Sequence, residues 1–138
     1  MSRPIEEISL LIKKAQHRHH RGMDAALAPL GLSLVQWNAL REIQRNPGAS
    51  MHQLAELTFN SDQAFGTLTT RLLRSGLIAR AAGPGRMLQH QLTTKGEGLF
   101  REGHALFGEV IAKSFAPLPE QEREILAALL TKMLAGSG

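Results

Sequence analysis

Leu68, Leu72, Leu73 and Leu77 recur at helical spacing in the stretch SDQAFGTLTTRLLRSGLI, residues 61–78. That rhythm predicts an amphipathic helix over about 61–75. Yet Gly66, Thr67, Thr69 and Thr70 sit inside it, and such residues cost a helix roughly 0.5–1 kcal/mol each. Five further segments carry a helical apolar period, near 4–29, 34–45, 51–57, 95–115 and 119–135. Ser33 to Gln36, Ser50 to Gln53 and Thr94 to Glu97 each fit the capping box, and Asn60 or Ser61 can cap the segment from 61. Pro4 and Pro119 suit the first position of two helices, while Gly31, Asn46-Pro47-Gly48, Gly76 and Pro117 read as stops. Alternation appears only over 78–82 and 87–93, which flank Gly83-Pro84-Gly85-Arg86 and predict a hairpin. There Leu88 and Leu92 point inward, and Gln89 and Gln91 point away.

The helices 51–57 and 61–75 stand a short turn apart, the spacing of a helix-turn-helix. A hairpin directly after the second makes the unit a winged helix-turn-helix. The fold class expected is mainly α with a small β-hairpin wing (α+β), as one domain over 1–138 with a winged core at 30–94. Ile5, Ile8, Leu11, Ile12 and Ala15 at one end, and Ile125, Leu126, Leu129, Leu130, Met133 and Leu134 at the other, exceed what that core can bury. The helical regions 4–29 and 95–135 are therefore read as dimerisation helices.

Charge sharpens this picture. The formal net charge is +4, and Arg71, Arg74, Arg80, Arg86 and Lys95 against Asp62 place all of it between residues 60 and 95. A localised basic patch is the footprint of a polyanion binder. There is no cysteine, hence no disulfide framework or thiolate chemistry. No apolar run approaches the ~18 residues of a membrane span, and the N-terminus lacks a signal-peptide layout. The expectation is a cytoplasmic protein.

A helix entering the major groove needs short polar side chains where backbone and bases come closest. Gln63 can pair with adenine, Thr67 and Thr70 can offer a hydroxyl or a methyl, and Gly66 permits close approach. Arg71 and Arg74 suit phosphate or guanine. Asp62 can accept from cytosine or favour the helix N-terminus, and Phe65 is assigned mainly to the core. Ser50, His52, Gln53 and Ser61 lie at helix starts that can meet phosphate. Arg86 at the wing tip suits a minor groove, with Arg80, Gln89 and His90 on the adjoining strands.

The stretch from Arg71-Leu72-Leu73-Arg74-Ser75-Gly76-Leu77-Ile78 through Leu92-Thr93-Thr94-Lys95-Gly96 resembles the wing frame of the multiple-antibiotic-resistance (MarR) family of bacterial regulators. The order of elements resembles that family across essentially the whole chain. The resemblance implies a homodimer held by the terminal helices, double-stranded DNA bound at a paired operator, usually repression, and often release by a small effector. It also implies an effector pocket between the dimer helices and the winged core, near Trp37. The family's Asp-x-Arg wing tip is Pro84-Gly85-Arg86 here, so only the arginine is kept. The cysteine through which some members sense peroxide is absent, which excludes that mode of induction.

His17 and His20, with His104 from the fifth helix, are read as solvated or interface histidines or as neighbours of that pocket. Zinc needs a third or fourth ligand, and none is evident, so no metal or other cofactor is expected. Trp37 is read as a core anchor or a ligand contact. Phosphate-loop, nucleophile-elbow and zinc-protease motifs are absent, so no enzyme is expected. With five Phe, one Trp and no Tyr, base stacking on RNA is disfavoured. The rival reading is a winged helix that docks protein, which would have little use for Arg71, Arg74 and Arg86 beside a small polar helix face.

Overall fold

Ser33 and Ser50 begin their helices as reciprocal caps. Each hydroxyl accepts the amide three residues on, and Gln36 or Gln53 returns a bond to the cap backbone. These caps start α2 (Leu34–Arg45) and α3 (Met51–Leu57). The computed structural model describes residues 4–82 and 88–136. Before them runs α1 (Ile5–Leu27), ending in a 3-10 turn (Ala28–Leu30) rather than continuing as α-helix to 29. After them come α4 (Asp62–Arg74), the antiparallel strands β1 (Ile78–Ala82) and β2 (Leu88–Leu92), α5 (Thr94–Phe115) and α6 (Glu120–Ala135).

Three predicted starts move by one residue. Pro4 and Pro119 are cap residues, outside the first helical position. The cap of α5 is Thr93, whose hydroxyl accepts the Gly96 amide and donates to the Gly76 carbonyl. Thr94 is thus already helical. A hydroxyl at either position fits the sequence pattern, and the contact with Gly76 selects the earlier one.

Trp37, Phe65, Met23, Leu27, Leu40 and Leu72 are the largest fully buried side chains. They draw on α1, α2 and α4, so one core joins the helix-turn-helix to the base of the long helices. Phe65, Leu68 and Leu72 are buried there, as the apolar period requires, and Leu73 packs partly against them. The indole of Trp37 donates to the Phe100 carbonyl at 3.1 Å and stacks on Phe100 and Phe107. That contact couples α2 to α5.

The turn between α3 and α4 holds an oddity. Phe59 has φ 60° and is 96% exposed, so it bears left-handed strain without repaying it by burial. Phe59→Gly is expected to raise stability by about 0.5–1 kcal/mol, the relieved strain less the added unfolded-state entropy. Urea unfolding checks this, and an unchanged or lower midpoint would contradict it.

The apolar ends stay open. Ile5 is 84%, Leu129 55%, Met133 61% and Leu134 84% exposed, and α6 contributes no buried residue.

Candidate nucleic-acid interface

The Ser61 hydroxyl accepts the Ala64 amide at 3.1 Å and starts α4. Phe65, Leu68, Thr69 and Leu72 fill its buried face. Gln63, Gly66, Thr67, Thr70 and Arg74 follow the opposite side at helical spacing, with Arg71 beside them. All are exposed except Gly66, which is half-buried. A Cβ built on Gly66 would meet nothing within 4 Å, so the fold itself does not require a glycine there. Arg71 and Arg74 form no ion pair among the described residues.

The threonine hydroxyls are not free donors. Thr67 donates to the Gln63 carbonyl at 3.2 Å and Thr70 to the Gly66 carbonyl at 3.0 Å. What each can still offer a base edge is an acceptor lone pair and a methyl group.

At the start of α3 three expected phosphate contacts are already engaged. The Ser50 hydroxyl accepts the Gln53 amide at 3.1 Å, and the Gln53 side-chain carbonyl accepts the Ser50 amide at 2.8 Å. His52 places Nδ1 2.9 Å from Asp62 Oδ1 and Nε2 2.8 Å from Glu56 Oε1. Both ring nitrogens are occupied, and so is the Asp62 carboxylate that sequence alone offered to cytosine. The hydrogen bond from Asp62, then its charge and that of Glu56, raise the His52 pKa above 6.5.

In the hairpin, Arg80 lies opposite His90 and is exposed. His90 is on the same face of β2 as half-buried Leu92. Its buried Nδ1 has no hydrogen-bond partner, and burial, with Arg80 second, lowers its pKa. Gln91 is exposed as predicted. Gln89 is half-buried, its amide nitrogen 3.6 Å from where a Gly48 Cβ would sit, so it leans on the turn after α2 instead of standing clear. Arg86 and the side chain of Leu88 lie outside the described residues. Lys95 Nζ donates to the Ser75 carbonyl at 3.1 Å, tying α5 to the end of α4.

A second feature is a cleft of about 690 Å³ among α1, α2, α5 and α6. Leu11, Ile12, Phe107, Phe115 and Leu130 give it apolar walls, and His19, His20, Asn38 and Arg41 bring polar groups. Arg41 Nε is buried without a hydrogen-bond partner, while its guanidinium carbon lies 5.2 Å from the Trp37 ring centroid. Of the four residues predicted near an effector pocket, only His20 lines this cleft. Trp37 is buried to 1% exposure, His104 is an exposed neighbour of Trp37 and Phe100, and His17 lies on a groove with Lys13, Lys14, Arg18 and Arg21. No third ligating side chain joins His17 and His20 among the described residues. Sequence reasoning missed Asn38 and Arg41. Their spacing from Trp37 puts them on α2, but only the packing of α1 and α5 shows which way they face.

A helix-turn-helix with an outward polar face on its second helix, a hairpin and open terminal helices matches a known architecture. The MarR family model covers residues 30–86. The HTH-type transcriptional repressor Rv2887 of Mycobacterium tuberculosis is 32% identical over 113 residues, spanning 80% of this chain and 81% of that protein. The chain belongs to the MarR family. The crystal structure of Rv2887 with salicylic acid superposes with a TM-score of 0.76 at 28% identity, covering 96% of this chain and 97% of that one. A mutant MarR from E. coli in complex with operator DNA gives a TM-score of 0.83 at 25% identity, covering 96% and 99%. Membership makes the protein a DNA-binding transcriptional regulator. Among the described residues, no helix is long and apolar enough to cross a membrane.

Proposed function

We propose that this MarR-family protein is a cytoplasmic, homodimeric transcriptional repressor that reads a pseudo-palindromic operator through α4 and is released by a small effector. One observation carries the reading: α4 keeps a glycine on its outward face where the fold leaves open space. A helix retains so weak a residue to let its backbone approach a groove floor. Gln63 reads a base, Arg71 and Arg74 hold phosphate or guanine, and Arg80 and Arg86 extend the contact along the wing.

The open apolar faces of α1 and α6 support the homodimer. Burying several such side chains contributes about 1.5–3 kcal/mol each. Two recognition helices then lie roughly 34–36 Å apart, one turn of the duplex. For the effector, the cleft pairs apolar walls with the Arg41 guanidinium, whose Nε has no hydrogen-bond partner and stands 3.9 Å from the Glu42 carboxylate; that suits a small apolar acid, and Rv2887 has been crystallised with salicylic acid.

Gln63→Ala tests the base-reading role. It is expected to cost about 1–3 kcal/mol on a selected operator and to relax preference at one base pair in each half-site. Competition binding against single-base operator variants measures this. Equal loss on operator and random DNA would show that Gln63 reads no base.

A further inference from the structure

Two carboxylates at the edge of a DNA-reading surface pose an electrostatic problem, because every phosphate they approach repels them. Glu56 and Asp62 stand there with side chains 70% and 69% exposed. Asp62 is the first residue of the recognition helix. His52 lies between them, with Nδ1 2.9 and 3.2 Å from the two Asp62 oxygens and Nε2 2.8 Å from Glu56.

A neutral imidazole has one N–H and one lone pair. With both nitrogens against carboxylates, the neutral ring would set lone pair against lone pair on one side. Only the imidazolium donates on both sides, so the geometry itself specifies the proton. Asp62 on α4 and Glu56 on α3 are the charges that act on the ring.

We propose that His52 is a positioning residue that operator binding requires in its protonated form: the imidazolium pins the first residue of α4 to α3 and cancels one of the two negative charges beside the DNA. Loss of the proton leaves two uncompensated carboxylates and frees one end of the bridge. Operator affinity therefore falls as pH rises, over a window lying above the ordinary histidine midpoint, because both carboxylates favour the charged ring. The inference rests on the DNA-binding reading above and adds proton linkage to it.

Operator binding is measured for wild type, His52→Gln and His52→Lys between about pH 6 and about pH 8.5 at fixed low salt. Wild type is expected to lose about five- to tenfold in affinity across that range. The glutamine variant should bind weakly with a flatter profile, and the lysine variant should bind tightly with an equally flat one. His90 and the other histidines remain in all three proteins, so the difference isolates position 52. A wild-type slope that survives in His52→Gln would overturn the proposal.

An NMR titration of the free protein decides the bridge without DNA. The His52 midpoint should lie above 6.5 and fall on Asp62→Asn. An ordinary midpoint that Asp62→Asn leaves in place would overturn the proposal. A protein that binds no DNA at any pH but shows the shifted midpoint would instead remove the functional reading and confine His52 to fixing α4 on α3.

Discussion

Gly96→Ala is expected to destabilise the protein by about 3 kcal/mol or more. A Cβ on Gly96 would fall 2.0 Å from the Leu77 carbonyl oxygen and 3.0 Å from its carbon. That oxygen is backbone and cannot swing aside like a side-chain tip. It also accepts the Thr93 amide at 3.0 Å, and Leu77 is only 4% exposed. Accommodating the methyl group means separating the start of α5 from the base of the wing, at the cost of that bond and of the Thr93 contact with Gly76. Gly98→Ala is the control, since its Cβ would meet nothing within 4 Å and alanine is the better helix former. Urea unfolding should therefore lower the midpoint for Gly96→Ala and leave or raise it for Gly98→Ala. Equal midpoints would contradict the close approach of α5 to the Leu77 backbone.

Gly66→Ala should divide stability from function. The open space around Gly66 and its mid-helix position predict a gain of about 0.5–1 kcal/mol. Operator affinity is expected to fall about tenfold or more, because the added methyl would stand where the proposed reading brings the α4 backbone to the groove floor. Unfolding and operator titration on the same preparation check both halves. A variant that is more stable and binds as well as wild type would mean that Gly66 is a tolerated weakness, and close backbone approach would lose its support.

The opposed expectations for the two glycines show what sequence can and cannot supply. The leucine period and the serine caps placed α2, α3 and α4 to within a residue, because caps and periodicity act over a few neighbours. Whether a glycine is needed depends on what lies across from it, and Gly96 faces Leu77 from another element. The same distance in sequence hid the His52 bridge: ten positions separate His52 from Asp62, and only the helix-turn-helix closes them. The leucine period also predicts Thr67 and Thr70 on the exposed side of α4, but helix geometry turns their hydroxyls onto backbone carbonyls. The cleft draws side chains from four helices, so a local cluster of histidines signals it poorly, and nothing in the sequence around Arg41 tells that its Nε is buried without a hydrogen-bond partner.

Whether α4 reads sequence as part of a dimer is decided by selection from a pool of random duplexes at two salt concentrations, followed by sequencing. The expected product is a pseudo-palindrome whose half-sites lie one helical turn apart, with log affinity falling against log salt by about 0.9 per phosphate neutralised. No enrichment at either salt would contradict it and point to a winged helix that docks protein.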